Sequence, residues 1–191
     1  MRYVSTRDLH TYYSLSEALH LGLAPDGGLF VPEHVPTANL ASFSPELSYP
    51  DFCAQVLAPF FEGDALADRL PQFCEQAFNF KVALKKLDNN TSILELFHGP
   101  TLSFKDFGAR FLGQCLGGLA TQKKITVMVA TSGDTGSAVA AALHQQPGLD
   151  VIVLFPEGQV SARQQHQITC WGDNVKAYAV QGTFDDCQRM V

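Results

Sequence analysis

The chain predicts an α/β fold, a parallel sheet flanked by helices, preceded by a mainly helical N-terminal layer. Three observations carry that prediction. After Phe80, apolar β-branched runs alternate with helical patterns, the rhythm of strand–helix–strand units. Before Phe80 the spacing is helical and broken by connections rich in Pro and Gly. The composition, 46% hydrophobic and 17% charged over 191 residues, is that of a chain able to bury a core.

In the N-terminal layer, SLSEALHLGL (14–23) opens on a serine cap and carries Leu15, Ala18, Leu19 and Leu23 at helical spacing. APDGGLFVP (24–32) follows as a turn at Asp26, Gly27 and Gly28 and a short extended piece. YPDFCAQVLAPFF (49–61) places Pro50 where a first helical turn tolerates it. DALADRLPQFCEQAF (64–78) reads as a further helix, bent or divided at Pro71.

From there SILELF (92–97) reads as a short strand and FKDFGARFLGQCLGGLA (104–120) as a helix. KITVMVAT (124–131), DVIVLFP (150–156) and VKAYAV (175–180) read as strands of one parallel sheet, joined by right-handed crossovers through GSAVAAALHQQ (136–146) and SARQQHQITCWG (161–172). GTFDDCQRMV (182–191) reads as a turn and two turns of helix, too short to bury an apolar face. The expectation is an N-terminal piece of a longer protein.

The formal charge of -6 and scattered Lys and Arg lack the basic patch of a nucleic-acid binder, so a small-molecule partner is expected. No run has signal-peptide character or the ~20 apolar residues of a membrane span, which predicts a soluble, cytoplasmic protein with no membrane partner. The five cysteines form no C-x-x-C pair, and neither a disulfide framework nor a metal site is expected.

In an open parallel sheet ligands bind beyond the carboxyl ends of the strands, which singles out the loops after LELF and VMVAT, expected at one sheet edge. The second, TSGDTGSA (131–138), combines glycines that permit close approach with free N–H groups at a helix start, an anion cradle. It matches neither a Walker A nor a dinucleotide fingerprint. The plainer reading is a turn capping its helix through Asp134 or Ser132.

The first loop holds Lys105 at a helix start among Leu102, Phe104 and Phe107, a setting that partly desolvates an amine and lowers its pKa. Such an amine can attack an aldehyde, and pyridoxal phosphate is the commonest aldehyde cofactor to use it. The plainer reading is an exposed lysine beside Asp106. His98 is either a base or a brace for loop carbonyls. Arg110 either binds phosphate or pairs with a carboxylate. Trp171 and the other histidines read as core and surface, respectively.

HGPTLSFKDFG (98–108) and ATSGDTGSA (130–138), with YVSTRD, LAPDGGLFVP and GTFDDCQ in the same order, resemble the threonine synthase family of fold-type II pyridoxal-phosphate enzymes. The resemblance implies a tryptophan synthase β-like sheet, a helical N-terminal region over 1–80, and the first part of the catalytic domain over 81–191. It implies pyridoxal 5'-phosphate bound covalently to Lys105, which also moves protons at the substrate's Cα and Cβ. It implies Asp134 facing the cofactor's phenolic oxygen, and Ser132, Gly133 and Thr135 holding the substrate carboxylate. His98, Gly99, Pro100 and Thr101 would wall the lysine, with Asp106 tethering it or bracing the loop. Arg163 and His166 are candidate phosphate ligands from charge alone.

The reaction implied is conversion of O-phospho-L-homoserine and water to L-threonine and phosphate, without metal. The family's loop for the cofactor phosphate lies beyond residue 191 in the usual order. Three other readings stand beside this one: another fold-type II lyase, a catalytically silent shortened paralogue acting as a binding module, and nucleotide binding by TSGDTGSA. Oligomeric state is left open.

Overall fold

A computed structural model describes residues 1–120 and 124–191, and the chain divides into two compact units, Met1–Ala77 and Phe78–Val191. In the first, β1 (Tyr3–Ser5) pairs antiparallel with β2 (Phe30–Pro32). The helices are α1 (Leu15–Leu21), α2 (Tyr49–Phe61) and α3 (Leu70–Ala77). Ser14 caps α1 in a reciprocal capping box with Glu17. Ser48 caps α2, and Pro50 sits in its first turn, where no intrahelical N–H bond is lost. Pro71 divides its segment, as the spacing predicts, into a short 3-10 turn at Ala67–Arg69 and α3. Phe61, Leu66, Leu70, Phe73, Cys74 and Ala77 form the buried core of this unit. Burial pushes the Cys74 thiol up to about 12, so it is packing material rather than a nucleophile.

The second unit contains β3 (Ala83–Lys86), β4 (Ser92–Glu95), α4 (Lys105–Leu119), β5 (Ile125–Ala130), α5 (Asp134–Leu143), β6 (Leu149–Pro156), α6 (Ala162–Thr169), β7 (Val175–Val180) and α7 (Phe184–Met190). β5, β6 and β7 form a parallel sheet in that order. The central strand is buried, with Leu149, Val151, Val153, Leu154 and Phe155 in the core, while Thr126 and Met128 on β5 and Lys176 and Tyr178 on β7 are exposed. Both α5 and α7 pack on β6.

One expectation is corrected here. SILELF is not a strand of the parallel sheet: β4 pairs antiparallel with β3, Ala83 opposite Glu95 and Lys86 opposite Ser92, in a separate hairpin. The partner strand ALKK escaped notice because its two lysines break any apolar run. The hairpin turn is held by Asp88, whose carboxylate accepts the N–H groups of Asn90 and Thr91 at 2.8 and 2.9 Å.

The α4 and α5 axes run side by side in the same direction. A Cβ on Gly113 would lie 3.4 Å from the Ala142 carbonyl oxygen, and one on Gly117, a turn later, 3.6 Å from the Gln146 side chain. Gly113 and Ala142 each lie eight residues after the first residue of their helix, Lys105 and Asp134. Two parallel helices in that register begin at the same level. Lys105 and Asp134 therefore share one end of the helix pair.

Candidate active site

The loop after β5 is built from its first residue. The Thr131 N–H continues the sheet ladder to the Leu154 carbonyl at 2.9 Å, which anchors the loop at the carboxyl edge of the sheet. The buried Thr131 hydroxyl accepts the N–H groups of Gly133 at 3.0 Å and Gly136 at 2.8 Å. The N-cap position of α5 is Gly133, which has no side chain to cap with; the N–H groups are met by Thr131, and not by Ser132 or Asp134 as the plainer reading expected. Gly133 has φ 148°, a conformation L side chains rarely adopt. The first-turn N–H groups of Asp134 and Thr135 precede any intrahelical acceptor, at the positive end of the α5 dipole. Ser132 and Asp134 are exposed, Thr135 is half-buried and Gly133 is buried.

The loop before α4 is held differently. Asp106 is fully buried, and its carboxylate accepts the Thr101 N–H at 2.9 Å and the Thr101 hydroxyl at 2.7 Å. Between the two expected roles of Asp106, it braces the loop. Gly99 lies against that carboxylate so closely that a Cβ there would fall 2.4 Å from Oδ2. Lys105 is half-buried, with Nζ 4.7 Å from the Phe104 ring centroid.

Two of the three apolar residues expected to desolvate Lys105 are open, Leu102 at 71% and Phe104 at 59% exposure, while Phe107 is half-buried with its ring 4.9 Å from that of Phe80. Leu102 also has φ 60°, which costs a residue with a Cβ. This loop leaves the antiparallel hairpin, not a strand of the parallel sheet.

Among the described residues, His98 meets a carboxylate and not a loop carbonyl. Its Nε2 lies 2.8 Å from the Glu95 carboxylate, and its ring is 4.8 Å from that of Phe97. Arg110 donates to Asn79 at 2.7 Å and lies 5.7 Å from the Phe80 centroid; burial lowers its pKa, and the charge of Asp106 opposes that shift. Arg163 and His166 are exposed on α6. Trp171 is half-buried and donates to the Gln167 carbonyl at 2.7 Å, with its ring 5.1 Å from that of His144.

Gln164 on α6 went unnoticed in the sequence, being one glutamine among several. Its side-chain N–H donates to Asp134 Oδ1 at 2.8 Å. Two clefts of about 420 Å³ open in the first unit, one beside Phe43 and Tyr49 and one beside Val56 and Phe60, and none of the predicted site residues lines either. Among the described residues no cluster of His, Cys, Asp and Glu has metal-binding geometry.

Residues 2–78 match the family model described as "Threonine synthase N terminus", and residues 83–191 the model described as "Pyridoxal-phosphate dependent enzyme". The threonine synthase of Haemophilus influenzae is 39% identical over 93% of this chain and 42% of its own length. The Escherichia coli threonine synthase is 35% identical over the whole chain and 45% of its own length. The crystal structure of the Escherichia coli enzyme superimposes with a TM-score of 0.90, covering 100% of this chain and 45% of that one. A structure described as threonine synthase with bound PLP, from Brucella melitensis, gives 0.87 at 37% identity, covering 100% and 43%. The chain thus spans less than half the length of these curated relatives.

Proposed function

The chain belongs to the pyridoxal-phosphate dependent enzyme family, preceded by a threonine synthase N terminus, and from that premise we propose that it carries the lysine side of a threonine synthase active site. The reaction proposed is conversion of O-phospho-L-homoserine and water to L-threonine and phosphate, with pyridoxal 5'-phosphate held on Lys105. The observation that carries this reading is the common level of the α4 and α5 N-termini, which sets Lys105 at the same end of the helix pair as residues 132–135.

The residues fit the cofactor in three respects. Lys105 offers a half-buried amine for an aldehyde, Asp134 an exposed carboxylate for a ring hydroxyl, and the start of α5 offers N–H groups for a carboxylate. When bound, pyridoxal phosphate supplies a sink for the charge left when a proton leaves the substrate's α carbon. The Lys105 amine, which holds one extra proton at a time, takes the Cα proton and hands it on. It then takes the Cβ proton as phosphate departs from Cγ, before water adds at Cβ. Ser132, Gly133 and Thr135, with the N–H groups at the start of α5, orient the substrate carboxylate. Asp134 holds the proton of the ring hydroxyl, and Thr131 and Asp106 keep the two loops in place from beneath. The exposed Arg163 guanidinium and His166 imidazole are available to a phosphate.

The boundary between an N-terminal region, 1–80, and a catalytic region from 81 belongs to the same proposal. So does a cytoplasmic location, supported by five cysteines that are all free thiols. No helix among the described residues is long and apolar enough to cross a membrane.

Phosphate release from O-phospho-L-homoserine is the test, run on the chain and on the longest in-frame product of its gene. Release that requires pyridoxal phosphate and disappears in Lys105→Ala supports the reading; no release from either protein sinks it.

A further inference from the structure

Asp134 is exposed, and a hydrogen bond to an exposed carboxylate competes with water. The Gln164 amide, however, is not a free side chain that happens to meet it. Its oxygen accepts the Ser161 N–H at 3.2 Å and the Ser161 hydroxyl at 2.9 Å, while Ser161 Oγ accepts the Gln164 backbone N–H at 3.3 Å. This reciprocal cap fixes the rotamer before Asp134 is reached.

The amide nitrogen then donates to Asp134 Oδ1, at 2.8 Å. The same amide lies over Gly133, where a Cβ would come within 2.3 Å of Nε2. One side chain therefore ties together the start of α6, the glycine of the cradle and the carboxylate beside it.

We propose that Gln164 is a positioning residue: it holds the Asp134 carboxylate in place over the cradle and couples the N-terminus of α6 to the site. Its role toward the cofactor rests on the function proposed above. The donor matters more than the shape, because a carboxylate needs an N–H partner to stay in one rotamer and an acceptor in that position would repel it.

Gln164→Glu isolates that donor. It keeps an acceptor for Ser161, so the α6 cap survives, but it presents Asp134 with a second carboxylate. Asp134→Asn in the same background restores a donor and acceptor pair with the roles exchanged. The parent chain, both single variants and the double variant are titrated with pyridoxal 5'-phosphate, following the visible band of the Lys105 adduct. Their urea midpoints are measured without cofactor.

The expected result is a shifted band and roughly 10-fold weaker cofactor binding in Gln164→Glu. Its urea midpoint falls, and the double variant recovers part of that loss, so the two substitutions are non-additive. Additive midpoints overturn the proposal, as does a Gln164→Glu chain that equals the parent in band, affinity and midpoint. Should neither the parent chain nor the longest in-frame product of its gene give a Lys105 band, the functional reading fails by itself. The cofactor-free cycle then decides the role of Gln164: non-additivity supports it and additivity overturns it.

Discussion

Residues 131–136 and residues 98–106 both lead into a helix that starts with a predicted site residue, yet they are held by different means. The loop after β5 is an extension of the sheet, its N–H ladder continued by Thr131 and its turn closed by that residue's hydroxyl. The loop before α4 leaves an antiparallel hairpin, and its fixed point is the buried Asp106 carboxylate with Thr101 in its grip. Above that point Leu102 and Phe104 stand in solvent. A loop that inherits its geometry from a sheet can bury its backbone, while one tied at a single carboxylate keeps an open tip.

Substitutions can break or sharpen this contrast. The largest effect is chemical: Lys105→Arg keeps the positive charge but cannot form an imine, so no borohydride-stable cofactor adduct is expected at residue 105 by peptide mass. Next, Asp106→Ala removes the acceptor of two Thr101 bonds from a fully buried position and is expected to cost about 3 kcal/mol in urea unfolding. A loss below about 0.5 kcal/mol would mean that the loop is held by something other than this carboxylate.

Thr131→Val keeps the shape and removes the acceptor of two N–H groups, with an expected loss of about 2 kcal/mol. The two losses should add, since these sites share no hydrogen-bond partner. The smallest effect has the opposite sign. Leu102→Gly relieves a left-handed residue whose side chain is 71% exposed and should raise stability by roughly 0.5 kcal/mol, the relief slightly exceeding the entropy cost of glycine.

The same contrast explains what could be read from the chain in advance. β5, β6 and β7 and the helices between them were legible because their hydrophobic periods change sharply at Gly- and Pro-marked turns. The division at Pro71 was legible because proline removes a donor. The pairing of SILELF was not, since a short apolar run looks alike in a parallel sheet and in a hairpin, and its partner ALKK is half lysine.

In the site, Lys105 and the residues of TSGDTG stood out because a lone lysine and paired glycines are costly to place without reason. Thr131 and Gln164 did not stand out. Their roles depend on which strand ends beside which helix, and that is a property of packing rather than of spacing.

The most direct test of a single site built from both loops is reductive trapping. The chain is incubated with pyridoxal phosphate, reduced with borohydride and mapped by peptide mass, side by side with Asp134→Ala. The account predicts one stoichiometric adduct, on Lys105, with a lower yield when Asp134 is removed. Adducts spread over exposed lysines such as Lys85, Lys86 and Lys176, at yields indifferent to Asp134, would contradict it.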